Sequence, residues 1–192
     1  MTIESTWKKL ASTVAYRGRT TLVVHTVLLA DGTEAHYEVD ESVPFAVATL
    51  IIDGDSVVLS RQYRYPIGRW IFDLPGGAGG RDELPMDAAR RELEEELGVI
   101  PNDLRPLHMY FTNPGRSAWP VYIFVCSSGT TEGVAERADP AEQVSSARMT
   151  VKELDKLIAN GEIVDASLLV ARTAAAASGL LPPLAPAEPP LG

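Results

Sequence analysis

The chain has 192 residues, 45% of them hydrophobic and 22% charged, the composition of a globular protein with one sizeable core and at most a small appendage. A formal net charge of −9 and the lack of any basic run argue against a polynucleotide partner, because such a surface repels a phosphate backbone. Cys126 is the only cysteine, so an intramolecular disulfide is excluded, and its setting in VYIFVCSS predicts a buried core thiol. The opening MTIESTWKKLAS carries no signal-peptide apolar stretch, and no run approaches the ~18 apolar residues of a membrane span. A soluble cytoplasmic protein without a membrane partner is the expectation. For such an acidic molecule to act on a phosphorylated compound, it needs a metal cation or well-placed arginines.

In chain order, 20–30 and 33–39 read as two strands joined by the turn pair Asp31-Gly32. Residues 45–52 and 56–62 repeat the pattern around Asp53-Gly54-Asp55, with apolar runs suited to a sheet buried on both faces. A short strand over 70–74 leads into PGGAGG. A helix through LPMDAARRELEEELG follows, with Pro85 in its first turn and Gly98 just past its end. Strands are predicted at 104–111, 121–126 and 145–149, the last after a long polar loop of the kind that often carries function. Residues 151–159 and 165–178 read as helices, and the end is proline-rich.

The helix after the glycines concentrates charge. At 100° per residue Glu92, Glu95 and Glu96 share one sector and Glu94 lies opposite, while Met86, Ala89, Leu93 and Leu97 form an adjacent apolar stripe. Like charges one turn apart repel, and partial burial worsens this, so something must compensate. A hard divalent cation such as Mg²⁺ or Mn²⁺ would turn that repulsion into binding. The helix alone leaves open a solvated acidic face neutralised by Arg90 and Arg91, with an Arg91–Glu95 contact one turn away. Gly76, Gly77, Gly79 and Gly80 shift the balance, since they permit positive φ and close approach to a ligand, and a main-chain carbonyl such as that of Gly76 can complete a metal site.

The stretch from Gly77 to Val99 resembles the Nudix box, G-x5-E-x7-R-E-U-x-E-E-x-G-U with U aliphatic. Gly77, Glu83, Arg91, Glu92, Leu93, Glu95, Glu96, Gly98 and Val99 occupy every fixed position. The resemblance implies that Glu92 and Glu96 ligate the metal, that Glu95 and Glu83 assist or complete the site, and that Arg91 orients a glutamate. It also implies an α/β fold: an α/β/α sandwich with a mixed sheet, the box helix on one side and a C-terminal helix on the other, plus an N-terminal antiparallel hairpin subdomain. The corresponding layout is a hairpin region over 1–43 that forms a homodimer, a hydrolase domain over 44–178 and a proline-rich tail over 179–192.

Outside the box, LSRQYRYPIGRWIFDLPGG is similar to the ADP-ribose pyrophosphatase branch of that family. There an arginine matching Arg64 contacts substrate, and a proline about fifteen residues past the box, here Pro114, accompanies ADP-ribose specificity. Arg19 stands near a position that approaches the base in some relatives. That branch draws its general base from the loop before the last strand, where Glu142 is the first choice and Glu136 and Asp139 are alternatives; a solvated loop acid is the competing reading for all three. Two departures stand out: Arg116-Ser117-Ala118-Trp119 where an acid is common, and Asp40-Glu41 where some relatives supply an arginine. Cleavage of ADP-ribose to AMP and ribose 5-phosphate is therefore the expected reaction. GDP-mannose or another nucleotide sugar is the enzymatic alternative, and a non-hydrolytic nucleotide sensor the alternative of another class. Tyr63, Tyr65, Trp70 and Trp119 are expected in the core rather than stacked on a base, and His25, His36 and His108 are read as structural.

Overall fold

The computed structural model describes residues 7–127, 130–131 and 144–184. Its first three strands, β1 (Lys8–Arg17), β2 (Thr21–Leu28) and β3 (Glu34–Asp40), form an antiparallel meander in that order. The predicted hairpin is the β2–β3 pair, closed where the Thr33 amide donates to Asp31 Oδ1 at 2.9 Å. β1 was not anticipated. All ten of its residues are exposed, so no buried periodicity marks it in KKLASTVAYR. The meander is fastened to the rest of the chain at β3, where the Asp40 amide donates to Arg116 O at 2.8 Å and Tyr37 Oη donates to Gly115 O at 2.8 Å.

The larger sheet contains β4 (Ala46–Asp53), β5 (Ser56–Arg64), β6 (Arg69–Asp73), β7 (Gly76–Ala78), β9 (Arg105–Tyr110), β10 (Val121–Ser127) and β12 (Val144–Thr150). The remaining strands, β8 (Val99–Ile100) and β11 (Thr130–Thr131), pair with each other. β10 runs parallel to β4 and every other pairing is antiparallel, so the sheet is mixed. β4 and β5 pair only over Ile51–Asp53 and Ser56–Val58; further along, β5 pairs with β6 and β4 with β7. The sheet thus divides into two arms, and the chain crosses between them at Leu74-Pro75.

Period-two alternation on β4 and β10 fills both faces. Val47, Ile51, Phe124 and Cys126 pack with Ala88, Ala89 and Leu93 of helix α1 (Pro85–Leu97). Ala48, Leu50, Val121, Ile123 and Val125 pack on the opposite face with Leu154 of α2 (Val151–Ala159) and Leu168, Ala171 and Ala175 of α3 (Ala166–Ala177). Strands buried on both sides read as near-continuous apolar runs, as VATLII and VYIFVC do. Burying a side chain such as Leu93 contributes about 2 kcal/mol, enough with its neighbours to fix the rotation of α1 about its axis. The result is the expected α/β/α sandwich. Cys126 is buried as predicted, and burial pushes its thiol up to about 12, which leaves it a poor nucleophile.

Two expectations are corrected. Tyr63, Tyr65 and Trp70 are not core residues, with exposures of 43%, 86% and 43%, because the far end of the β5–β6 hairpin carries them beyond the helical layers. Only Trp119 packs against the core. Leu181 is buried, so the packed chain continues past the end of α3 into the stretch read as tail. Among the described residues no helix is long and apolar enough to cross a membrane.

Candidate active site

The α1 helix begins where Pro85 supplies a preset φ without a wasted donor, and it ends at Gly98, whose φ of 63° lets its N–H reach Glu94 O. Between these limits Ala88, Ala89 and Leu93 are buried, Glu92 and Glu96 are half-buried beside them, and Glu94 and Glu95 are exposed. The predicted placement at the edge of a buried face holds for Glu92 and Glu96, whereas Glu95, expected with them, is exposed.

Arg91 joins this helix to the segment before it. Its Nε and Nη2 donate to the two oxygens of Glu83 at 3.0 and 3.2 Å, and Nη1 donates to Glu92 Oε1 at 2.7 Å and Glu95 Oε2 at 3.1 Å. Nη2 also donates to Ala78 O at 3.2 Å. Glu83 in turn accepts from the Gly80 amide at 2.9 Å, closing the loop. Hydrogen bonds from Arg91 and Gly80 hold the Glu83 carboxyl below its ordinary range. Those to Glu83, then to Glu92, raise Arg91 above its already high value, so it is a permanent cation. The Arg91–Glu95 contact considered for a plain solvated face is present, but as one branch of a fork that also fixes the loop and Glu92.

The glycines act through proximity rather than through turns. Of the four glycines read as permitting positive φ only Gly76 adopts it, at 157°, while Gly77, Gly79 and Gly80 do not; Gly76 and Gly77 belong to β7. A Cβ on Gly77 would lie 2.6 Å from Glu92 Oε1, one on Gly79 would fall 2.0 Å from the Phe45 ring, and one on Gly76 would meet Val47 O at 2.1 Å. Glycine is needed because strand, helix and carboxylate crowd together there.

This crowding defines a cradle. The Thr49 amide donates to Pro75 O and the Gly79 amide to Phe45 O, so alternation along the ladder turns both polar groups of Gly76 and Ala78 away from β4. The Gly76 amide accordingly donates to Glu96 Oε2 at 3.1 Å, and Ala78 O receives Arg91. Glu92 lies against Gly77, Glu96 against Gly76, and the Gly76 carbonyl faces the same side as its amide. Among the described residues no three His, Cys, Asp or Glu side chains already converge as an ion cage, since Arg91 draws Glu92 and Glu95 to itself. The donor set is nevertheless one of hard oxygens on two rigid elements, which fits a divalent cation of the Mg²⁺ type.

Arg64, at the end of β5, donates from Nη2 to Asp73 Oδ2 at 2.8 Å, with its own side chain 49% exposed. Pro114 lies exposed in the turn after β9, held by β3 through Gly115 and Arg116, and Arg19 lies in the β1–β2 turn. Thr21 O accepts from the Glu41 amide, which puts that turn at the end of the meander nearest Pro114. Glu142, Glu136 and Asp139 fall outside the described residues. His25 bonds Glu41 at 3.1 Å and His36 approaches Thr26 at 3.4 Å, both on the strands of the N-terminal meander. Asp73 was missed from sequence, although one acid among the apolar residues of IFDLP is the signal that would have flagged it.

The NUDIX domain model matches residues 43–170, two thirds of the chain and all of the cradle. The chain belongs to the Nudix family. It is 30% identical over 146 residues to the ADP-ribose pyrophosphatase of Bacillus subtilis (strain 168), an alignment covering 76% of this chain and 78% of that one. It is also 30% identical over 129 residues to the methanol dehydrogenase activator of Bacillus methanolicus, covering 67% and 70%. A solved structure of an ADP compounds hydrolase superposes with a TM-score of 0.76 over 91% of this chain and 94% of that one, at 21% identity, which shows a shared fold. The domain match and the similarity to the ADP-ribose pyrophosphatase of Bacillus subtilis place the chain in the ADP-ribose pyrophosphatase branch, as a Nudix pyrophosphohydrolase. Hydrolases of this family generally use divalent metal cations.

Proposed function

We propose that this Nudix hydrolase cleaves ADP-ribose to AMP and ribose 5-phosphate with Mg²⁺ or Mn²⁺. The observation that carries the reading is the cradle, in which Glu92 and Glu96 stand against Gly77 and Gly76 with Arg64 anchored in the neighbouring strand pair. The cation, when bound, supplies charge neutralisation at the phosphoryl oxygens and a more acidic water. Glu92, Glu96 and the Gly76 carbonyl hold it, with Glu95 completing the set, and Arg91 fixes the rotamers of Glu92 and Glu95. Arg64 binds the diphosphate, while Pro114 and Arg19 meet the nucleoside. A water oxygen bonds to one phosphorus as the bridging P–O bond breaks, and its proton passes to a loop acid, with Glu142 the first choice. Phosphorus NMR of the products tests this: AMP and ribose 5-phosphate should form, stop forming in excess chelator and resume when Mg²⁺ is restored. Full turnover in chelator, or release of orthophosphate, contradicts it.

The support for a homodimer is β1, a strand covered on neither face that exposes Leu10, Val14 and Tyr16 by 44–60%. Sedimentation at micromolar concentration should give twice the chain mass, and a monomer there refutes the assembly.

A further inference from the structure

Asp73 ends β6 with 3% of its surface exposed. Its Oδ2 accepts from Arg64, and its Oδ1 is buried without a partner among the described residues. A second acid, Asp165, caps α3 by accepting from the Leu168 amide at 2.8 Å and lies close enough to act on both Asp73 and Arg64. Desolvation, reinforced by Asp165 and opposed by Arg64, pushes the Asp73 carboxyl up to about 6. The interior therefore disfavours the charged form, and the guanidinium is the group that offsets this. Arg64 does not follow its partner inside, since about half of its side chain stays exposed. Ser60 pairs with Asp73 across β5 and β6, and its hydroxyl lies 3.5 Å from Glu96 Oε2, so the anchor of Arg64 is next to the box carboxylates.

We infer that Asp73 is a positioning residue, which holds the Arg64 guanidinium beside the Glu92–Glu96 cradle so that it meets the substrate diphosphate in a fixed orientation. The inference rests on the proposed hydrolysis of a nucleoside diphosphate derivative. A half-exposed arginine loses rotamer freedom when it grips a phosphate, and a buried anchor removes that loss beforehand. A merely structural Asp73 would act on stability and leave substrate binding alone.

The test is a double-mutant cycle on KM and kcat for ADP-ribose with Mg²⁺, using Asp73→Asn, Arg64→Gln and the double variant, alongside the thermal midpoint of each. Asp73→Asn should raise KM about tenfold, change kcat less, leave the midpoint unchanged or higher, and have no further effect once Arg64 is Gln. An unchanged KM, or effects of the two substitutions that simply multiply, overturns the inference while leaving the hydrolase reading intact. Absence of cleavage of any nucleotide sugar by the unaltered chain overturns the hydrolase reading instead. In that event titration calorimetry with ADP decides the anchor: about tenfold weaker binding by Asp73→Asn supports it, and equal binding refutes it.

Discussion

Replacing Glu96 by Gln is expected to cut turnover roughly a hundredfold, a loss of about 3 kcal/mol of transition-state stabilisation. Gln keeps the length of the side chain and an oxygen that can still accept from the Gly76 amide, so the contact at 3.1 Å survives. What disappears is the charge that the cation requires. Glu92→Gln should behave alike, with the added release of one branch of the Arg91 fork. Steady-state kinetics at saturating Mg²⁺, with a thermal midpoint to show that the fold is unharmed, separate loss of chemistry from loss of structure. Near-normal turnover in Glu96→Gln would remove this residue from the metal site.

Asp155→Ala should destabilise the fold by about 3–5 kcal/mol, because it strands a buried cation. Arg172 has no exposed surface, and its Nε and Nη2 donate to the two oxygens of Asp155 at 2.7 Å each, tying α3 to α2. Its Nη1 already lacks a partner among the described residues, so little remains to satisfy the guanidinium once Asp155 is gone. In a domain of this size the midpoint should fall by roughly 10 °C. Arg172→Met, which removes the charge and keeps much of the volume, should be far milder. Denaturant unfolding reads both, and a loss under about 1 kcal/mol in Asp155→Ala would show that the pair contributes little.

The box helix was legible because everything that defines it is local: Pro85 and Gly98 mark its ends, and angular spacing alone gathers Glu92, Glu95 and Glu96. β4 and β10 were legible for a similar reason, as burial on both faces leaves a continuous apolar run. β1 left no such trace, since its pairing with β2 imposes no burial on either face. β7, β8 and β11 are two or three residues long and owe their existence to partners brought up by the fold. The glycines were singled out for positive φ and close approach to a ligand, but only Gly76 takes a positive φ, and the sequence cannot show that the Glu92 carboxylate and the Phe45 ring will come within a Cβ of Gly77 and Gly79. The Arg64–Asp73 pair was hidden likewise: nine residues separate them, and only the β5–β6 hairpin returns one to the other. Tyr63, Tyr65 and Trp70 were misplaced because an aromatic beside strands reads as core unless the extent of the covering helices is known.

We propose that the cradle of Gly76, Glu92 and Glu96, with Arg64 beside it, serves a nucleoside diphosphate sugar of the ADP-ribose type. The most direct measurement is kcat/KM with Mg²⁺ for ADP-ribose, GDP-mannose, NADH, a diadenosine polyphosphate and an oxidised dGTP at equal concentration. ADP-ribose should give the highest value, or fall within tenfold of it, which corresponds to about 1.4 kcal/mol. A specificity constant for ADP-ribose more than tenfold below the best of the panel would contradict the substrate assignment, and tight nucleotide binding without cleavage of any of them would make the chain a sensor.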